Sequence, residues 1–346
     1  MRAKINVKLS NLKARNPTKG IDKIKGMIKE MWDKQYKKRI LELDESNYDR
    51  LLFISDKFLE MEDKDEMPVY NLDEQGRLHY YLTNMSEELR PYVRLGGCKM
   101  VSYDLRTSQP VFVWITLREY IRENNITLDD VKEQADEIIE TIMVCSDGKV
   151  PEYILEGLEA LKRMRNPQTL EKEMKKLSRI LSADFYRDVM DTIGWKYDRK
   201  KFKTDVVFPF LYGTKPNWNP KRNRKTMMHY FLTRFPAVYC VLWKMRRYTE
   251  ICRTYYQMLS NKMRPLDVLD HIKTTFKTNE FPKNMQRIEA DMFYNVIVPQ
   301  IDQPFVTLHD SIIVQAGVGN DIHNIITKAF MCKFGIRVKV KREDWY

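Results

Sequence analysis

Phe305-Val-Thr-Leu-His-Asp310-Ser-Ile-Ile-Val314 sets two apolar, β-branched runs on either side of a polar pair. The pattern reads as strand, tight turn, strand, with His309 and Asp310 at the tip. A carboxylate there is held on rigid backbone and points into open space. A second aspartate closes a similar run, Lys99-Met-Val-Ser-Tyr-Asp104-Leu-Arg-Thr-Ser-Gln-Pro110. Taken singly, either aspartate is as well explained as a turn residue or a helix cap. Meeting in space, the two carboxylates suit a pair of Mg²⁺ ions ~3.5–4 Å apart, the spacing that clamps the attacking and leaving oxygens of a phosphoryl transfer.

The chain is basic, with a formal net charge of +12 over 346 residues. That balance favours polyanionic partners, chiefly nucleic acid, with binding that weakens as salt rises. Hydrophobic residues make up 43% of the sequence, enough for a sizeable core. The five cysteines, Cys98, Cys145, Cys240, Cys252 and Cys332, are scattered in or beside apolar runs and form no C-x-x-C. They read as buried free thiols in a reducing cytoplasm, not as a disulfide framework or a zinc site. No apolar h-region follows the basic N-terminus, and no window approaches 18 uninterrupted apolar residues. A signal peptide and a membrane span are therefore not expected.

Charge is unevenly distributed. Residues 1–40 hold 13 Lys/Arg against 3 Asp/Glu, whereas acids prevail over 41–70. The first block reads as a nucleic-acid-binding arm or a solvated helix face, and helical spacing over 21–61 predicts two helices. Asp73-Glu-Gln-Gly76 is a turn signal before a strand from Arg77 to Leu82, and Ser86 caps a short helix. Pro110 opens a helix, and residues 120–198 read as all helical, with a capping box at Thr127–Asp130 and breaks at Pro151 and Pro167. Asp198 suits the N-cap of a basic helix running to Gly213, which Pro209 should kink or end. Along that helix, lysines precede Phe208 and Tyr212, whose four-residue spacing puts both on one face. The stretch 214–226, with Pro216, Pro220, Lys221, Arg222, Arg224 and Lys225, is a basic loop. Helices continue to about 300, and an amphipathic helix at 322–330 and a strand at 336–340 close the chain.

Five of these segments, in order, resemble the family A DNA polymerases and the related single-subunit phage RNA polymerases, over roughly residues 74–345. Gly76-Arg77-Leu78 is similar to the family's Thr-Gly-Arg-Leu segment. Asp104 with Ser108-Gln109 resembles motif A. Lys200 through Phe208 to Tyr212-Gly213 resembles motif B, with Phe231-Leu-Thr-Arg234-Phe235-Pro236-Ala-Val238 similar to the helix that follows it. Met285-Gln286, with Ala290 and Asp291 after them, resembles the Met-Gln-Gly-Thr-Ala-Ala-Asp helix, and His309-Asp310 resembles motif C. There are departures. Thr204 stands eight residues before Tyr212, where the family has a lysine, and Lys203 is one residue off. Pro209 replaces a glycine. Two extra residues separate Asp104 from Ser108-Gln109, and Ser311 replaces the glutamate usual in DNA polymerases.

The resemblance implies an α+β right-hand fold: an antiparallel palm sheet, predominantly helical fingers and a reduced, thumb-like helical N-terminal region. The expected divisions are 1–70 for that region, 71–110 and 241–346 for the palm and 111–240 for the fingers. It implies a template-directed nucleotidyltransferase, in the first place a DNA polymerase of a phage or other mobile element acting in the host cytoplasm as a monomer. A primase or RNA polymerase of the same fold, and a catalytically idle nucleic-acid-binding protein, are the alternatives. Asp104 and Asp310 become the catalytic residues and, with the carbonyl of Leu105, the ligands of two Mg²⁺ ions, Mn²⁺ being a substitute. Lys200, Lys203, Phe208, Tyr212, Gly213 and Gln109 become nucleotide-binding. Arg77, Gln286, His309, Lys221, Arg222, Arg224 and Lys225 hold the DNA template–primer, or an RNA in its place.

Overall fold

The computed structural model describes residues 71–79, 83, 90, 98–146, 148, 150–213, 226–277, 280–303, 305–317 and 321–345. The N-terminal arm and its two helices, the Ser86 helix and the loop carrying Lys221, Arg222, Arg224 and Lys225 lie outside these residues. The remainder is an α+β chain, mostly helical with one small antiparallel sheet. Its contacts divide into two compact units. The first takes its described residues from Met1–Leu105, Glu289–Ile326 and Val340–Tyr346, the second from Arg106–Ile288 and Thr327–Lys339.

The first unit holds a two-stranded ribbon, β1 (Asn71–Leu72) and β2 (Leu78–His79), and a four-stranded sheet. The sheet is built from β3 (Met100–Leu105), β4 (Phe305–Leu308), β5 (Ser311–Gln315) and β6 (Val340–Trp345), in the order β4-β5-β3-β6 and antiparallel throughout. Residues 311–314 of β5 are all buried, so the strand reads as a continuous apolar run and not as alternation. The final strand differs from expectation: it begins at Val340, where 336–340 was expected to end it. Ile336 and Val338 are buried, but in the second unit, as a loop whose Arg337 and Lys339 carbonyls accept from the Ser182 hydroxyl and the Arg106 amide. The strand itself is an edge carrying exposed Lys341-Arg-Glu-Asp344, a polar run that hides its pairing from a hydrophobicity pattern.

The second unit is helical: α1 (Ser108–Glu123), α2 (Leu128–Cys145), α3 (Glu152–Lys162), α4 (Thr169–Ser182), α5 (Phe185–Ile193), α6 (Arg199–Phe202), α7 (Phe208–Tyr212), α8 (Met227–Arg234), α9 (Pro236–Met245), α10 (Tyr248–Ser260) and α11 (Pro265–Phe276). Helix α12 (Glu280–Asp291) and helix α13 (Ile322–Phe334) belong to both units. The capping box at Thr127 and the N-cap of Asp198 both form, Asp198 accepting from the Lys201 amide at 2.9 Å. Helix α9 is apolar on every side and buried from Pro236 to Trp243, as a helix at the centre of a bundle must be. It packs against α1, α2, α3, α4, α8 and α10. Among the described residues no helix is long and apolar enough to cross a membrane. All five cysteines are free. Cys145, Cys240 and Cys252 are buried as expected, whereas Cys98 and Cys332 are exposed.

One buried carboxylate serves α9. Glu173 of α4 is 8% exposed and accepts from the Val238 amide at 3.0 Å, satisfying a helix N-terminal donor that has no intrahelical partner. Burial pushes its carboxyl from the ordinary 4.5 up to about 8, against the pull of the Val238 and Ala237 amides. The folded chain therefore binds this proton more tightly than the unfolded chain, and stability falls as pH rises from about 4.5 to about 8. Glu173→Gln keeps the acceptor and removes the charge. Denaturant unfolding should show it gaining at least ~1 kcal/mol on the wild type between pH 5 and pH 8. A constant difference across that range would mean that Glu173 does not titrate there.

Candidate active site

Strand β3 lies between β5 and β6, so its backbone is paired on both sides. In the β3–β5 register Asp104 is the direct partner of Ser311, and the Leu105 amide donates to the Asp310 carbonyl at 3.4 Å. The two aspartates, more than 200 residues apart in sequence, thus come to the same end of the sheet, Asp104 on β3 and Asp310 in the turn that leads into β5. Both are partly exposed. His309 and Asp310 form the two-residue turn between β4 and β5, and His309 sits in the left-handed region at φ 49. Only glycine adopts that backbone without cost, so the side chain is kept there at some expense. The Ser311 hydroxyl is buried and donates to the Leu308 carbonyl at 3.0 Å, closing the turn from within.

A third acid belongs to this group. Glu289, on the end of α12 in the first unit, is 3% exposed, and its Oε1 lies 2.5 Å from Nη2 of Arg77. Its carboxyl is raised from the ordinary 4.5 to about 8, chiefly by burial and next by Asp310, with Arg77 pulling it back and Asp104 adding a little. Arg77 follows a tight turn in which the Asp73 side chain accepts from the Gln75 and Arg77 amides. Gly76 takes φ 78 in that turn, and a Cβ there would lie 3.8 Å from that of Ala290. The first unit therefore brings together Asp104, Leu105, Asp310, His309 and Arg77. It adds Glu289, which the sequence reading passed over because it counted the neighbours of Gln286 and not the acid among them.

The remaining described candidates lie in the second unit. Gln109 is in the first turn of α1 and Gln286 in α12, both half-buried. Lys200 and Tyr212 are exposed, and Lys203, Phe208 and Gly213 are half-buried. The Phe208 and Tyr212 rings stand 6.0 Å apart, edge to face. Lys203 lies over the Tyr186 ring at 4.8 Å, as does Arg199. The opposite side of the segment, Val206, Val207, Phe210 and Leu211, is buried. The helix does not end at Pro209. A π turn, Lys203–Val207, joins α6 to α7, and the Phe208 amide reaches back five residues to the Lys203 carbonyl. The widened turn takes up the register change that a proline forces, so the backbone stays helical until Gly213. Arg246, 7% exposed, binds the carbonyls of Phe210 and Gly213 at 2.5 and 2.6 Å and lies between the Tyr248 and Phe281 rings, fixing the C-terminal end of α7.

Among the described residues no group of three or more His, Cys, Asp or Glu is arranged to hold a metal by itself. Mg²⁺ does not require one: it keeps several waters and is commonly bound through one or two carboxylates together with substrate phosphates. Asp104 and Asp310, with the Leu105 carbonyl, fit that donor set.

Replacing His309 by glycine should raise thermal stability slightly, by about 1 kcal/mol, because the left-handed backbone is relieved. The same change should impair any reaction at the Asp310 turn. Lost stability would show that the imidazole is a structural support and not a retained functional group.

No protein-family model matches the sequence, and no curated protein matches it. Among solved structures, the chain is similar to the POL domain of Pol1 from M. smegmatis in complex with DNA primer-template and dNTP, at 13% identity and a TM-score of 0.34. The match covers 80% of this chain and 47% of that one, so the chain spans about half of its length.

Proposed function

We propose that the chain is a template-directed nucleotidyltransferase that extends a primer 3′-hydroxyl with nucleoside triphosphates, in the first place a DNA polymerase. The four-stranded sheet is its palm, and α6 and α7 belong to its fingers. The observation that carries this reading is the placement of Asp104, on β3, beside the turn that holds Asp310 at the start of the paired strand β5. Gathered acids on rigid backbone, two of them partly exposed, suit divalent cations. Mg²⁺ or Mn²⁺ held by Asp104, Asp310 and the Leu105 carbonyl would lower the pKa of the primer hydroxyl and neutralise charge on the leaving group.

The chain's own residues do the positioning. The primer oxygen bonds to the α-phosphorus, the bond from that phosphorus to the bridging oxygen breaks, and pyrophosphate leaves. Lys200 and Lys203 supply positive charge for the triphosphate, Phe208 and Tyr212 a surface for the base, Gly213 room beside it and Gln109 a contact at the sugar. Arg77, Gln286 and His309 hold the primer–template near the growing end. Lys221, Arg222, Arg224 and Lys225 hold template phosphates without reading sequence.

RNA synthesis by the same machinery is the second reading. It is favoured by Ser311, whose hydroxyl is turned inward to Leu308, so the residue after Asp310 adds no carboxylate. The deciding experiment extends a primed template with deoxyribonucleotides or ribonucleotides, in Mg²⁺ or Mn²⁺. Asp104→Asn and Asp310→Asn should each lower extension by ~10³-fold or more while template affinity stays close to wild type. Full activity in either variant would remove that residue from the site. Binding that survives both changes, with no extension by the wild type under any condition, would leave a catalytically idle binding protein.

A further inference from the structure

We infer that Glu289 is a positioning residue that holds the Arg77 guanidinium in place for the primer end, an inference that rests on the nucleotidyltransferase reading above. Four observations support it. Glu289 is almost fully buried, and its carboxylate oxygen lies 2.5 Å from Arg77 Nη2. Arg77 is 18% exposed, so the pair has a buried end at Glu289 and a more open end at the guanidinium. The turn that delivers Arg77 is fixed twice over, by the Asp73 side chain and by the packing of Gly76 beside Ala290, the residue after Glu289. The two aspartates at the end of the sheet are near enough to raise the Glu289 carboxyl.

A buried carboxylate in this setting is costly unless it is paired. Glu289 is paired by Arg77, which it meets at Nη2 from the interior side. Arg77 Nε is buried as well and has no hydrogen-bond partner, so the guanidinium is held from within, and the part of the side chain that stays exposed is what a sugar or base edge of a primer terminus can meet. Glu289 thereby acts through Arg77 and not on the reacting atoms.

The test is a double-mutant cycle on the full chain: Arg77→Ala, Glu289→Ala and the two together. Each is assayed for the KM of primed DNA, the KM of nucleotide and kcat, and for metal-free binding of primed against unprimed duplex by fluorescence anisotropy. Each single variant should raise the KM of primed DNA by about tenfold, and the double variant by the same tenfold and not by a hundredfold, because both changes remove one interaction. Nucleotide KM should not move. Glu289→Gln, which keeps an oxygen acceptor, should retain most of the wild-type value, and it carries the cycle if the alanine variant fails to fold. Independent, multiplying effects, or a Glu289→Ala loss confined to kcat, would overturn the inference while the wild type still extends primers. Coupling seen in primed-duplex binding without extension by the wild type would uphold the pair and sink the nucleotidyltransferase reading. Absence of both primed-duplex binding and extension would overturn both.

Discussion

The double pairing of β3 is the constraint on which the candidate site depends. With β5 on one side and β6 on the other, the strand has no freedom to slide, and its hydrogen bonds hold Asp104 opposite Ser311. A slip of one residue would send every side chain of the strand to the other face, taking Asp104 with it. The tight turn that follows Leu308 then has one place to put Asp310. Backbone geometry thus fixes where both aspartates stand.

Ionisable groups are buried in both units, and those among the described residues named here each meet a specific partner. Glu173 meets the amides at the start of α9, Arg246 the carbonyls at the end of α7, and Glu289 the guanidinium of Arg77. Each contact joins segments distant in sequence. Hydrophobic packing around α9 sets where the helices lie, whereas these polar contacts specify where particular helix ends stop. Burying such groups costs desolvation, which each of these contacts offsets by pairing.

Much of this was legible in the sequence. The hairpin around Asp310, the strand ending near Asp104, the capping box at Thr127 and the Asp198 cap carry local signals strong enough to survive folding. Their pairing was not legible from pattern alone, because register is a property of two strands and of the sheet that joins them. The last strand was misplaced since its exposed edge reads as a charged loop, while the apolar Ile336 and Val338 are used as loop residues by other helices. Glu289 escaped notice because a glutamate on an otherwise polar helix looks solvated until the turn at Gly76 covers it. Arg246 escaped for the same reason: the burial of a cation is decided by elements that pack from elsewhere.

The π turn at Lys203–Val207 bears on how positions in this segment are counted. A hydrogen bond spanning five residues encloses one more than an α turn does. Angular position around the axis, and not distance along the chain, decides which side chains stand together. Lys203 is nine residues before Tyr212, yet with the extra residue absorbed it stands where eight would place it in an unbroken helix. An insertion of one codon can thus be accommodated without rotating the aromatic end against the cationic end. Alignment by residue number splits what the helix keeps in phase.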